Sequence, residues 1–329
     1  MKRILLLIAL ALPLLLTAKG IKVAPEPGCM TAAYIHYTHV TPSLDLEGLG
    51  KPDRLLFFGL APDSDGNFVV GDKYLAALET VRKQVRPGQQ FMLVVGGGAK
   101  VANMHVMGDD PAKRAAYAKE VCKFARKYGF DGVDMDWETD WKAKPSKDVD
   151  TEALRDLLTR IKKGLPKGAP MTAAIGSSRH SAAQAAAILD LVDDVSVMIY
   201  SGLNKEGLHA PLYTVIERMK VFTEVGVPND RLLIGVPFYA LAPKGPDGKK
   251  KTMTYANVLR MLPEGDTSTG VVNSYSFNCV DEMKAKRDWV VANGYKGIMA
   301  WEIGHDAPYS NPRSLLRTLV EYRPAQTDK

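Results

Sequence analysis

The chain has 329 residues, 46% of them hydrophobic and 24% charged, with 43 Lys+Arg against 37 Asp+Glu and a net charge of +6. These proportions are those of an ordinary globular protein and exclude a wholly disordered chain, a collagen and a multi-spanning membrane protein. Three cysteines exclude a scaffold built on disulfides, and the length admits either two domains or one α/β barrel with insertions.

The first 20 residues read MKRILLLIALALPLLLTAKG. Lys2 and Arg3 precede a 13-residue apolar run, Ile4–Leu16, and small residues follow at Ala18 and Gly20. That order predicts a secretory signal peptide over residues 1–20, cut after Gly20. The run is shorter than the roughly 20 residues of a membrane span, and no Cys closes it, so neither stable membrane insertion nor a lipid anchor is expected. Removing Lys2, Arg3 and Lys19 lowers the charge from +6 to +3. The remaining 21–329 is expected to work outside the cytoplasm, secreted or periplasmic. An odd cysteine count there leaves at least one thiol unpaired. Cys29 and Cys279 could pair, and Cys122 reads as a buried, inert thiol on a helix.

Eight short apolar runs follow: Met30–Tyr37, Arg54–Leu60, Gln90–Val95, Phe130–Trp137, Met171–Ile175, Val195–Tyr200, Leu232–Tyr239 and Gly297–Trp301. Each has turn residues nearby, as buried parallel strands do. Amphipathic stretches lie between them at Lys73–Val85, Ala112–Tyr128, Thr151–Leu165, Leu212–Val225, Val280–Ala292 and Ser314–Tyr322. Asp110-Pro111 supplies an N-cap and a first-turn proline for the second of these. Eight strand-like runs alternating with helical segments predict a single-domain (β/α)₈ TIM barrel. The rival doubly wound sheet lacks its glycine fingerprint, because Gly96-Gly97-Gly98 does not have the G-x-G-x-x-G spacing. The longest interval between strands, Ala240–Lys296, holds a polar turn, two short segments and a helix. It reads as an elaborated connection, too short for a full α+β insertion domain.

The segment that carries chemistry is Phe130–Asp140, FDGVDMDWETD. Asp134, Asp136 and Glu138 fall at i, i+2 and i+4, so on a strand all three carboxylates share one face. Val133, Met135 and Trp137 face the other way. Asp131, of opposite parity at the strand's start, reads as structural. Like charges so close cannot all ionise cheaply, and a raised carboxyl pKa is what a general acid needs. A barrel opens at the C-terminal ends of its strands, which puts Glu138 at the mouth as proton donor and the aspartates beneath it as support. A calcium loop does not fit: counted from Asp134, the positions that need Gly and Glu hold Thr139 and Pro145.

Asp131, Gly132, Asp134, Asp136 and Glu138 lie in a D-x-x-D-x-D-x-E stretch that resembles the signature of glycoside hydrolase family 18, the chitinase family. The stretch occupies the fourth strand-like run, as in that family. Ala33-Tyr34 resembles the family's first-strand tyrosine, with Tyr37 as its rival. Val94-Val95-Gly96-Gly97 resembles the S-x-G-G strand with Val in place of Ser. Met198-Ile199-Tyr200, Gly235–Tyr239 and Gly297–Glu302 resemble the sixth, seventh and eighth strands. The resemblance implies a retaining, substrate-assisted cleavage in which the sugar's own 2-acetamido oxygen is the nucleophile. It implies Glu138 as acid and then base, Asp136 on the acetamido N–H, and Asp134 holding Asp136. Tyr200 would donate to the acetamido oxygen, Trp301 would form the floor under the sugar, and Tyr34 and Met198 would line the pocket. The implied partner is an oligosaccharide or polysaccharide containing N-acetylglucosamine, chitin above all. An endo-β-N-acetylglucosaminidase acting on N-glycans or peptidoglycan is one alternative, and a non-catalytic sugar-binding lectin is another. Ser201 after Tyr200 stands where many chitinases have Asp and many glycan-cleaving relatives have Asn. Trp141 could stack on a sugar or cover the barrel rim.

Six histidines, at 36, 39, 105, 180, 209 and 305, form no H-E-x-x-H and no zinc spacing with the cysteines. No metal or cofactor is expected, and His36 and His39 read as strand-end surface residues. Lys249-Lys250-Lys251 reads as a solvated turn rather than a nucleic-acid patch. Nothing in the sequence points to oligomerisation, so a monomer is expected.

Overall fold

The computed structural model describes residues 29–324 apart from 109, 246, 247, 249 and 250. The predicted signal peptide and Lys249-Lys250 lie outside the described residues. In chain order the elements are β1 (Met30–His36), β2 (Arg54–Leu60), α1 (Asp72–Arg82), β3 (Gln90–Gly96), α2 (Val101–His105), α3 (Pro111–Tyr128) and β4 (Gly132–Asp136). Then come α4 (Thr151–Gly164), β5 (Met171–Gly176), α5 (Arg179–Ile188), β6 (Asp194–Met198), α6 (Leu212–Glu224) and β7 (Leu232–Pro237). The chain continues through β8 (Tyr239–Ala242), β9 (Lys251–Thr254), α7 (Tyr255–Leu259), β10 (Val271–Val272), β11 (Tyr275–Ser276), α8 (Val280–Ala292), β12 (Gly297–Trp301) and α9 (Leu315–Glu321).

β1 to β7 and β12 close a parallel barrel in the order β1-β12-β7-β6-β5-β4-β3-β2. This is the (β/α)₈ barrel that the alternation predicts, and each of its strands coincides with a predicted run. Both faces of every strand are covered, which explains why the runs are apolar at both parities. Tyr34, Leu56, Phe58, Met92, Val94, Met198, Leu233 and Met299 fill the lumen. Ile35, Phe57, Leu93, Val133, Met135 and Ile234 face the helices and form the larger layer. The stripe Leu154, Leu157, Leu158 and Ile161 seats α4 on that layer. Asp110 caps α3 as expected, its Oδ1 accepting from the backbone N–H groups of Ala112 and Lys113 at 2.9 and 3.2 Å. Gly129 ends α3 at φ +63°, a conformation that glycine adopts without strain.

The barrel's lower end is closed by charge. Arg54 opens β2 and Asp194 opens β6. The Arg54 guanidinium donates to both carboxylate oxygens of Asp194, at 2.7 and 2.9 Å, and its Nε donates to Gln90 at 2.8 Å. Lys296 adds a second cation to Asp194 at 2.6 Å.

Three features differ from the sequence reading. No α-helix joins β1 to β2; two 3₁₀ turns, Tyr37–His39 and Glu47–Gly50, do so instead. α5 was not among the predicted helices: its apolar positions are mostly Ala, with Ile188 its one large aliphatic residue, so it carries no stripe to read. Cys29 and Cys279 do not pair; both are free thiols, bonded to different backbone carbonyls, those of Met30 and Ser268. Cys122 is buried on α3 as expected.

The interval 240–296 forms a small antiparallel sheet, in the order β10-β11-β8-β9, together with α7 and α8. Its Ala240, Tyr255, Val258, Leu259 and Phe277 belong to the main core layer. It therefore has no core of its own and is an elaborated connection, as its length implies.

Candidate active site

β4 runs in parallel between β3 and β5, with Asp134 opposite Val94 and Thr172, and Asp136 opposite Gly96. Asp134 and Asp136 point into the lumen, while Val133, Met135 and Trp137 pack in the outer layer. The alternation thus separates the carboxylates from the apolar residues, as strand parity requires. Asp131 lies just before β4 and accepts the Phe91 backbone N–H at 2.8 Å, a structural tie to β3. Gly132 has no room for a side chain: a Cβ there would lie 1.9 Å from the Pro170 carbonyl oxygen.

Asp134 is the deepest of the three carboxylates. It accepts the Tyr34 hydroxyl at 2.6 Å and the Thr172 hydroxyl at 2.5 Å. Burial pushes its pKa up, and the two hydroxyls and Arg54 offset only part of that rise. Asp136, 4% exposed, has an oxygen, Oδ1, with no hydrogen-bond partner. Burial, and the charges of Glu138 and Asp134 beyond it, push Asp136 well above the usual carboxylate range. Glu138 is half-buried past the end of β4, and burial raises it too. The buried, partnerless Oδ1 is the atom on this strand most in need of a donor, and a ligand N–H would satisfy it.

Glycine makes the close approach possible. A Cβ at Gly96 would lie 2.2 Å from the Asp136 carbonyl oxygen, one at Gly97 2.1 Å from the Phe58 ring, and one at Gly98 2.9 Å from Oε1 of Glu138. Gly96 and Gly97 both have φ +106°. The run Gly96-Gly97-Gly98 is therefore a cradle for the acidic strand, a role the sequence reading did not give it although the three glycines at a strand end were visible.

Aromatic rings complete the mouth. Trp301 ends β12, with its ring 4.8 Å from Phe58 in edge contact and 5.4 Å from Tyr34. Tyr34, 1% exposed, lies in the lumen, whereas its rival Tyr37 lies outside the lumen against Tyr74 and Gly59. Tyr200 lies two residues past β6. Burial raises its hydroxyl, and the charges of Asp136, Glu138 and Asp134 add to the rise, so it faces the same acidic cluster. Its hydroxyl lies 3.7 Å from the Met299 sulfur, a weak contact that leaves it available to an acceptor. Met198 is buried in the lumen on the same side. Trp141 is 72% exposed, so it does not cover the rim.

Two residues that had no such role in the sequence reading hold Tyr200. The backbone carbonyl of Tyr200 accepts the Tyr239 hydroxyl at 2.8 Å and lies 2.8 Å from Nε2 of His209. His209, 1% exposed, is held in turn through its backbone by Ser276 of β11 and by Asn278 just after it. The excursion thus braces the β6 loop from outside. Tyr239 closes the Gly235–Tyr239 stretch that resembles the seventh strand, whereas His209 lies in no motif; the closure of the fold brings the two together.

The family model for glycosyl hydrolases family 18 matches residues 30–306. The chain belongs to glycosyl hydrolase family 18. Among relatives, chitinase A1 of Niallia circulans is 28% identical over 262 residues, covering 69% of this chain and 36% of that protein. The chain spans about a third of the length of the first curated relatives it matches. Among solved structures, the family 18 chitinase ChiB of Flavobacterium johnsoniae superposes with a TM-score of 0.72 at 20% identity, over 89% of this chain and 93% of that one. The chitinase-like agglutinin RobpsCRA of Robinia pseudoacacia superposes with a TM-score of 0.71 at 20% identity, over 88% and 98%. A chitinase and a chitinase-like agglutinin share this fold, so the fold alone does not settle function, which rests on the side chains of the β4 strand and its surroundings.

Proposed function

We propose that the protein is an exported glycosidase that hydrolyses β-1,4-linked N-acetylglucosamine in chitin or chitooligosaccharides. The observation that carries the reading is the acidic strand: two buried carboxylates and a half-buried glutamate in line beneath an aromatic mouth, with an unpartnered oxygen on the middle one. Glu138, raised by burial, protonates the glycosidic oxygen and then takes a proton from water. Asp136 accepts the acetamido N–H on Oδ1 and offsets the positive charge as the acetamido oxygen closes on the anomeric carbon. Tyr200 donates to that acetamido oxygen. Asp134, held by Tyr34 and Thr172, supports Asp136. Trp301 presents its ring to the sugar, and the exposed Trp141 extends the platform. The leader, Lys2 to Gly20, supports export.

Because the nucleophile belongs to the substrate, the acetyl group is obligatory. The test compares fully acetylated chitin oligomers with glucosamine oligomers of equal length and with a high-mannose glycopeptide. Cleavage of the acetylated oligomers alone is expected. Equal cleavage of the deacetylated oligomers would refute substrate assistance. Release from the glycopeptide alone would replace chitin by N-glycan as substrate, and binding without any cleavage would make the protein a lectin.

A further inference from the structure

We propose that His39, Glu302 and His305 bind one divalent transition-metal ion of the zinc class, at the rim where β1 and β12 close the barrel. Glu302 directly follows β12, yet it is 0% exposed. Its Oε2 accepts the His36 backbone N–H at 2.6 Å. Its Oε1 is hydrogen-bonded to Nδ1 of His39 and lies 3.6 Å from Nε2 of His305. One ligand atom from each of the three residues lies within 4.8 Å of the others. Both histidines sit in short turns that follow their strands, 266 positions apart in the chain and brought together by closure of the barrel.

Three observations point to an ion. First, a buried carboxylate needs a compensating charge, and among the described residues no Lys or Arg pairs with Glu302; only the two imidazoles do. Either His39 takes a proton or a cation takes its place. Second, His305 is aimed but not bonded. Its Nε2 points at Glu302 but stops 3.6 Å away, beyond hydrogen-bond reach. Third, the spacing suits a metal. Zinc–ligand bonds of roughly 2.0–2.2 Å set neighbouring tetrahedral ligands about 3.3 Å apart, close to the 3.6 Å between His305 and Glu302. The His39 side chain is 42% exposed and free to adjust to that distance. Two imidazoles and one carboxylate suit zinc, copper, nickel or iron rather than calcium or magnesium. A cleft of about 300 Å³ reaches the site at His39, which lines it together with Thr41, Asp45 and Gly304. The His36 N–H fixes the carboxylate from behind, as outer-shell partners of metal ligands do.

The ion would clasp the turn after β1 to the turn after β12, one residue from Trp301. The test uses the untagged full chain, stripped with chelator and titrated with zinc chloride. One equivalent per chain is expected, with a rise in Tm that grows with free zinc. Substituting Co(II) should give the visible absorption of a four- or five-coordinate ion. His39→Ala and His305→Ala should each abolish the stoichiometric equivalent and the Tm response. His180→Ala, an exposed histidine on α5, should keep both. Zinc binding unchanged in the His39 and His305 variants would overturn the site. So would a wild-type protein that takes up no stoichiometric zinc and gives no Co(II) spectrum, and that result does not depend on how any variant folds.

Discussion

Replacing Tyr34 by Phe removes one hydroxyl and leaves the ring against Trp301 and Phe58. The hydroxyl donates to Asp134 at 2.6 Å in a position where Tyr34 and Asp134 are each 1% exposed. No water takes over at such a buried oxygen without a cavity, and the variant leaves at most the space of one oxygen. A hydrogen bond to a charged group contributes about 1.5–3 kcal/mol, so Tyr34→Phe should cost about that much. At about 2 °C per kcal/mol for a chain of this size, the Tm should fall by roughly 3–6 °C. The pH dependence carries the sharper content. Burial raises Asp134 above its unfolded value, so folding loses stability as pH rises through the folded pKa and the buried group ionises. Tyr34 offsets that loss, because its bond favours the ionised form. The variant's deficit should therefore be large near pH 8 and shrink towards pH 4. The assay is thermal unfolding of both proteins across that range, paired with turnover on chitin oligomers. The kcat should fall about tenfold, about 1.4 kcal/mol of barrel support lost from the transition state, with KM little changed. A deficit that is constant from pH 4 to pH 8 would refute the reasoning, because it would come from lost packing rather than from the carboxylate.

Asp194→Asn should be among the most damaging single changes away from the site. It leaves the Arg54 guanidinium, 2% exposed, without its charge partner; breaking a buried pair in this way costs about 3–5 kcal/mol, and denaturant unfolding measures it. Burial favours the neutral acid at Asp194, but Arg54 and Lys296 more than offset this and hold it below the usual range. The wild type should therefore lose this contribution as pH falls through that lowered pKa, and the variant should not. Gly98→Ala should place a methyl group 2.9 Å from Oε1 of Glu138; kcat/KM should drop at least tenfold while the Tm moves by no more than about a degree, since Gly98 is exposed and outside the core. In Asp136→Asn the like charge beside Glu138 disappears. The alkaline limb of kcat/KM, which reports loss of the acid's proton in the free enzyme, should move to lower pH in any residual activity, and a limb at the wild-type position would show that the two carboxyls do not interact.

Much of this was legible in the sequence because the local pattern and the global fold agree. The eight barrel strands are short apolar runs for one physical reason, burial on both faces, and they were found at Met30, Arg54, Gln90 and onwards within a residue or two. The two carboxylates on β4, and Glu138 just past its end, were legible from parity alone. What escaped has no local signature. α5 is built on alanine and lacks a stripe. Gly98 is defined by what it must not touch, and Glu138 is forty residues away in the chain. His209 and Tyr239 matter through a backbone carbonyl, which no side-chain motif records. His36 and His39, read as strand-end surface residues, are tied to Glu302 only because β1 pairs with β12. Whether Cys29 and Cys279 pair stayed open in the sequence for a related reason: nothing local records the distance between two thiols in the fold, where both are free.

The central claim is that Glu138 moves the proton. Glu138→Gln keeps the shape and the Gly98 contact but removes the titrating group. The direct measurement is kcat on a chitin oligomer together with the Kd of the same oligomer, for wild type and variant. The account predicts a fall in kcat of at least about 10², with the Kd changed by no more than a few-fold. A variant that turns over at the wild-type rate would contradict it.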